Sequence, residues 1–419
     1  MLLSRRILLQ SAAGLASGLV SVPGLALRAF AASASDRPIL IVVHLRGGAD
    51  GLNLVSPATD PVFIAARSTD LRVAVDGPDA GYALAGSPDP NTEFRLHAAG
   101  GGLSELYGSG QLAFIHAAGL TDSTRSHFVA TDMIERGVAN ARGLTRIRDG
   151  WLTRYLAHER ASGIAAVSAA GSVSGELLGR ADALAVPDLG GGLAPAGGPQ
   201  AREVLTGLYA TRRDVFTTAG REALGAMTTI DSHVPRDDKG AVVAYQPDPG
   251  TAYESAAEFG RPLKALAQLI KMDLGLEVAT VDIGGWDTHE YQAGRFKAAV
   301  GRLSNGLAAF WNDMQRYHDR MIVVTISEFG RRLRSNRSNG TDHGRANVMM
   351  VLGGQVDGGR FHGGWPGLAS DKLDEGVDLA VVTDYRQVLI EILQNRVKKP
   401  VAGVFPDYAF SGDLGIFSV

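Results

Sequence analysis

The hydrophobic pattern along this chain is a series of short apolar runs, each ending in a burst of polar residues. Pro38-Ile-Leu-Ile-Val-Val-His-Leu45 empties into Arg46 to Asn53, and Gln111-Leu-Ala-Phe-Ile-His-Ala-Ala118 into Thr121 to Phe128. Glu277 to Ile283 leads to Gly284 to His289, and Met321 to Ile326 to Ser327 to Arg331. Continuous apolar runs of this length, without alternation, predict strands buried on both faces. Further strands are predicted at Asn347 to Leu352, Ala165 to Val173 and Ala183 to Val186. Helices are predicted at Leu103 to Tyr107, from Phe128 through Glu135, at 150–160, Ala201 to Met227, Tyr253 to Leu274, Tyr291 to Tyr317 and Tyr385 to Leu393. Strands alternating with helices imply βαβ units, hence an α/β fold with a mostly parallel sheet and helices on both faces. The stretch 165–260, with its Gly- and Pro-rich segment Asp188 to Pro199, carries no concentrated chemistry and reads as an insertion or cap.

In a doubly wound sheet the carboxyl ends of parallel strands share one edge, so groups far apart in sequence converge there. The residues delivered to that edge are Asp50 and Asn53, Ser126 and His127, Asp287 and His289, Glu328, and then Asp342 and His343. Carboxylates and imidazoles without thiolates suit a divalent cation, Zn, Mn, Fe, Ca or Mg, with imidazole favouring the transition metals. One or two ions there would orient a phosphate- or sulfate-like anion and acidify a hydroxyl or water. Each position also has a plainer reading. Asp50 either ligates or caps its glycine-rich turn, Glu328 either ligates or pairs with Arg331 or Arg332, and Asp342-His343 either ligate or make a turn. Ser126, at the start of a helix, is either a nucleophile activated by the helix amino end or an ordinary N-cap. His127 is a ligand, a donor behind one, or a core histidine; Arg125 and Arg46 either bind the substrate anion or pair with carboxylates.

Composition narrows the classes. A hydrophobic fraction of 45% and a charged fraction of 20% are those of a globular protein, and a net charge of −3 gives no general electrostatic case for nucleic acid. The absence of cysteine excludes disulfides, thiolate sites and a cysteine nucleophile. No dinucleotide fingerprint, P-loop, His-Glu-x-x-His or Gly-x-Ser-x-Gly sequence is present. The Arg5-Arg6 pair precedes an apolar, Ala- and Gly-rich stretch ending in small residues near 29–34, the pattern of a twin-arginine export signal spanning 1–34. This predicts engagement with the twin-arginine export machinery, a mature domain over 35–419 that is periplasmic or secreted, and no stable membrane span after cleavage.

Taken together, Leu45-Arg-Gly-Gly-Ala-Asp-Gly-Leu-Asn53, Arg125-Ser-His-Phe128, Gly284-Gly-Trp-Asp-Thr-His289, Ser327-Glu-Phe-Gly-Arg331 and Gly340-Thr-Asp-His-Gly344 resemble the exported bacterial family called domain of unknown function 1501. The resemblance implies an alkaline phosphatase-like three-layer α/β/α sandwich. It also implies an ester hydrolase site in which Asp50, Asp287, His289, Glu328, Asp342 and His343 hold metal, Ser126 attacks with His127 beside it, and Arg125, Arg46 and Asn53 contact substrate. Departures from the superfamily pattern are a Glu at 328 in place of an acidic-His pair, a compressed Asp287-x-His289 spacing, and no cysteine for formylglycine. The expected substrate is a small-molecule or polymer ester of phosphate or sulfate. The alternative is a non-catalytic member binding an envelope polymer or a protein partner.

Overall fold

A computed structural model of the chain describes residues 37–419 apart from 158–162, 194, 196, 212–213, 398–400 and 419. The expected export signal, 1–34, lies outside the described residues. Among the described residues no helix is long and apolar enough to cross a membrane.

The apolar runs form the strands of one central sheet. These are β1 (Ile39–Leu45), β2 (Leu112–Gly119), β3 (Ala166–Ser168), β4 (Leu184–Ala185), β5 (Val278–Ile283), β6 (Met321–Ile326), β7 (Asn347–Gly353), β8 (Phe361–His362) and β9 (Thr383–Asp384). Their spatial order is β8-β2-β7-β6-β1-β5-β3-β4, with β9 also pairing with β2. All seven residues of β1 are buried, as the absence of alternation in its sequence demands. β1 runs parallel to β5 and β6, while β7 is antiparallel to both β6 and β2. That single reversal matters for the site. It leaves β2 parallel to β1, and it brings the amino end of β7, not its carboxyl end, to the edge where β1, β2, β5 and β6 finish.

Each face of the sheet is covered by helices: α1 (Gly101–Gly108), α2 (His127–Arg136), α3 (Trp151–Leu156), α4 (Gly260–Lys271), α5 (Gln292–Asp313) and α6 (Tyr385–Val397). Ile39, Ile41, Val43 and Leu45 of β1 pack with α1, α4 and α5, whereas Leu40 and Val42 pack with α2, α3 and α6. The period-2 alternation of strand side chains thus feeds two cores, giving the three-layer α/β/α sandwich with a mostly parallel sheet. In α5 the buried Phe296, Val300, Leu303, Leu307 and Phe310 recur at steps of three and four, one helical face. The predicted helix over 291–317 ends early, and its tail is a tighter 3-10 turn, Gln315–Arg320.

The segment 165–260 is divided between sheet and surface. β3 and β4 extend the central sheet beyond β5, and the remainder contains a helix pair, Gly198–Ala210 and Val215–His233, where a single helix was expected. The break is set by Asp214, which caps the second helix in a reciprocal box with Thr217.

Candidate metal centre

The edge loops are drawn together by close backbone approach. Gly47 has φ +122°, and a Cβ there would lie 2.5 Å from the Asp287 nitrogen; a Cβ on Gly330 would lie 1.9 Å from the Ala346 carbonyl oxygen. Only glycine permits these contacts, which press the loop after β1 onto Asp287 and the loop after β6 onto the start of β7.

Around the junction stand three imidazoles and one carboxylate. His127 Nδ1 lies 2.7 Å from Glu328 Oε1, His289 Nδ1 3.1 Å from Asp342 Oδ1, and His343 Nδ1 3.0 Å from the Arg125 carbonyl. These partners accept, so each Nδ1 carries the proton and donates, and each Nε2 is left with a lone pair. His343 Nε2 sits 3.2 Å from Asp287 Oδ1 and 2.9 Å from His289 Nε2. His289 Nε2 is itself 3.1 Å from Asp287 Oδ1. His127 Nε2 is buried without a hydrogen-bond partner, 3.6 Å from Asp287 Oδ2. The ligand atoms of His127, Asp287 and His343 all lie within 4.8 Å of one another, a group that can hold a metal ion. Imidazoles whose far nitrogens are fixed by an outer acceptor are the usual surroundings of a bound metal. With both rings neutral and protonated at Nδ1, the lone pairs of His289 Nε2 and His343 Nε2 face each other at 2.9 Å, an arrangement that positive charge between them relieves.

Arg331 braces this group. Its guanidinium is buried and donates to the carbonyls of Gly48 (2.6 Å), Gly47 (2.6 Å), Thr341 (2.8 Å) and Trp286 (3.2 Å), and to Asp287 Oδ1 (2.6 Å). With Oδ1 so engaged, Oδ2 is the Asp287 oxygen left for a cation. Burial opposes charge on Asp287, but the hydrogen bond and charge of the Arg331 guanidinium prevail and hold its carboxyl below the usual range. Glu328 is likewise held low against burial by His127 and by backbone N–H groups, Gly47 N–H among them at 2.8 Å. His127 is raised, chiefly by its hydrogen bond to Glu328, while burial lowers His343.

The residues singled out in the sequence therefore take several roles. Asp287, His289, His343 and His127 come together. Glu328 and Asp342 stand one step out, each orienting a histidine; Glu328 pairs with His127 rather than with Arg331 or Arg332. Asp50 is not brought to the cluster. It caps the short helix Gly51–Leu54, and its buried oxygens accept from Arg67, from Gln292 Nε2 at 2.6 Å and from Asn53 N at 3.2 Å. Asn53 is buried on that same helix. Arg46 is engaged by Glu135 (2.7 Å) and Asp282 (3.0 Å), and Arg125 by Asp378 (2.5 Å) and Glu375 (3.1 Å), so their guanidiniums are already neutralised. Ser126 is the N-cap residue of α2, exposed, and its hydroxyl makes no capping hydrogen bond. Arg67 and Gln292, which hold Asp50, carried no signal in the sequence; Arg331 was visible only as a neighbour of Glu328.

Fold and site together define an α/β protein with a histidine- and aspartate-lined candidate metal centre at the carboxyl edge of its sheet. Residues 236–403 match the family described as Protein of unknown function (DUF1501), the family that the chain's motifs resemble. Asp287, His289, Glu328, Asp342 and His343 fall inside the match, and His127 precedes it. No curated protein matches the chain. Among solved structures, the C-terminal periplasmic domain of EptC from Escherichia coli in complex with Zn is similar at 7% identity and TM-score 0.35, covering 77% of this chain and 74% of that one. The lipoteichoic acid synthase LtaP from Listeria monocytogenes is similar at 10% identity and TM-score 0.34, covering 76% and 66%. Alkaline phosphatase from the Antarctic bacterium TAB5 is similar at 7% identity and TM-score 0.30, covering 78% and 95%.

Proposed function

We propose that this chain is an exported, metal-dependent hydrolase of a phosphate or sulfate ester or a related bond, with one divalent cation held by His127, Asp287 and His343 and with His289 beside them. The observation that carries the reading is the buried, unpartnered Nε2 of His127, aimed with Asp287 Oδ2 and His343 Nε2 at one place. The donor set, imidazole nitrogen and carboxylate oxygen, fits Zn²⁺, Fe or Mn²⁺ better than the oxygen-seeking Mg²⁺ or Ca²⁺. Such a cation supplies Lewis-acid charge for an anionic ester and lowers the pKa of a nearby hydroxyl.

The protein's own groups do the rest. Glu328, Asp342 and the Arg125 carbonyl fix the three rings, and Arg331 fixes Asp287. Ser126 supplies the attacking oxygen from the amino end of α2, where backbone N–H groups favour developing negative charge. Asp50 is bound to Arg67, so the reading takes one ion and not two. A second reading, a non-catalytic protein that keeps the ion and binds an envelope polymer or partner, is favoured by the engagement of Arg46 and Arg125 with carboxylates.

Metal analysis of the exported chain separates these readings, followed by turnover of aryl phosphate, phosphodiester and aryl sulfate with Ser126→Ala and His343→Ala. The hydrolase reading expects about one equivalent of metal, lost in His343→Ala and kept in Ser126→Ala, with turnover lost in both. Metal without turnover of any ester selects the binding protein, and the absence of stoichiometric metal under every loading condition defeats both. Replacing Arg5-Arg6 by two lysines should retain the chain in the cytoplasm; unchanged export would rule out the twin-arginine route.

A further inference from the structure

The segment Arg331-Arg-Leu-Arg-Ser-Asn-Arg337 is the densest run of positive charge beside the candidate centre. Arg331 turns inward, but the other three arginines do not share its role. The Arg332 side chain is 41% exposed, and its ion pair with Asp378 Oδ1 is long, 4.0 Å, to a group that already accepts from Arg125. Arg334 and Arg337 are exposed and form no ion pair among the described residues.

The loop that bears them is fastened to the site at both ends. Arg332 N donates to the Asp342 carbonyl at 2.9 Å, and Asn336 Nδ2 to the His289 carbonyl at 2.8 Å and Asp342 Oδ1 at 3.1 Å. Tyr291 N and Gln292 N donate to the carbonyls of Ser338 and Asn339 at 3.1 and 2.9 Å. The same backbone that carries His289 and Asp342 therefore carries this loop. By contrast Arg46, Arg67, Arg125 and Arg331 are each matched by a carboxylate. In a chain of net charge −3, the unpaired Arg334 and Arg337, with Arg332 held only by a long contact to Asp378, repel one another at one rim and favour an anion. Five residue steps separate Arg332 from Arg337, so an extended loop spreads the three charges over at most roughly 17 Å, enough to meet more than one anionic group.

We infer that the loop from Arg332 to Arg337 binds the non-reacting anionic groups of a ligand bearing two or more phosphates or sulfates. The inference rests on the ester-hydrolase reading for the group at the metal centre, but its test does not need the metal. Binding of inorganic phosphate, linear tripolyphosphate and a fully sulfated disaccharide to the metal-free full chain is measured calorimetrically at low and at moderate salt. Multiply charged probes should bind at least tenfold more tightly than inorganic phosphate, and the advantage should shrink with salt. Arg332→Gln, Arg334→Gln and Arg337→Gln together should weaken them by about tenfold, since each exposed charge contact contributes a few-fold. The same number of charges removed elsewhere, as Arg142→Gln, Arg148→Gln and Arg316→Gln, should leave binding unchanged. Preference for tripolyphosphate or for the sulfated sugar identifies which anion the loop meets. Equal affinity for singly and multiply charged probes, or equal loss in the two sets of variants, overturns the inference. Should the triple variant unfold, Arg334→Gln and Arg337→Gln singly decide in the same way. A missing metal with intact loop binding would defeat the hydrolase reading alone.

Discussion

Replacing Asp50 by asparagine is the sharpest way to separate the architecture of this edge from its chemistry. Asp50 was expected among the metal ligands, yet both of its oxygens are buried against donors. Arg67 contacts both oxygens, Gln292 Nε2 approaches Oδ2 at 2.6 Å, and Asn53 N approaches Oδ1 at 3.2 Å. Arg67 is itself only 1% exposed and otherwise donates to the carbonyls of Leu333 and Arg332 at 2.6 and 3.0 Å. In Asp50→Asn the guanidinium keeps its charge and loses its counter-charge, and the new amide sets N–H donors against donors. Breaking a buried pair from one side costs about 3–5 kcal/mol. With about 2 cal/mol/K of unfolding entropy per residue, that is a fall of roughly 5 °C in Tm for a chain of this size. The assay is thermal unfolding beside metal analysis. The reasoning requires a large loss of stability with metal content unchanged under conditions where the variant is folded. A variant as stable as the parent but stripped of metal would refute it and return Asp50 to the ligand set.

Two further outcomes follow from the same geometry. Glu328→Gln keeps size but removes the carboxylate that orients His127, and loss of such an outer partner weakens metal binding about 10–100-fold; competition with a chelator reads this directly, and undiminished affinity would show that Glu328 does not set the ring. His116 should make the protein acid-sensitive. Its Nε2 donates to the Val55 carbonyl at 2.8 Å while its Nδ1 accepts from Ala117 N at 3.0 Å, an arrangement open only to the neutral ring, and burial pushes its pKa down to about 4. A folded pKa below the unfolded value near 6.5 means that the unfolded chain takes the proton first. This contribution is therefore complete above about pH 6.5 and is lost as pH falls towards 4, by roughly 1.4 kcal/mol per unit. Urea midpoints measured at pH 7 and pH 5 should diverge less in His116→Gln than in the parent, and an unchanged difference would show that another group governs the acid limb.

Much of the fold was legible because burial on both faces of a sheet leaves a direct trace in sequence. β1, β2, β5 and β6 fall on the apolar runs within a residue or so, and α5 follows its spacing of buried residues. β3 and β4 fall inside the runs predicted at Ala165 to Val173 and Ala183 to Val186 but are shorter than those runs, and β8 and β9 left little trace, because strands of two residues have no periodicity to read. Of the site, the sequence determined which chemistry arrives at the edge: three histidines, Asp287 and the outer carboxylates Glu328 and Asp342, with no thiol. Composition and position after a strand are local properties, and local properties suffice for that.

Tertiary structure alone decided how the candidates divide. The antiparallel course of β7 puts its amino end at the edge, so that His343, in the loop just before it, meets residues that leave strands β5 and β2. Glu328 faces His127 and not the centre because Gly47 N–H and the His127 ring fill its approach, and Asp50 is withdrawn because Arg67 and Gln292, distant in sequence, surround it. A side chain's partner depends on what the rest of the fold places within about 3 Å of it, and strand-end motifs do not encode that. The arginines of the 331–337 run show the same division: the sequence displays all four charges, but only the packing turns Arg331 inward onto Asp287, leaves Arg332 half-buried beside Asp378 and leaves Arg334 and Arg337 exposed.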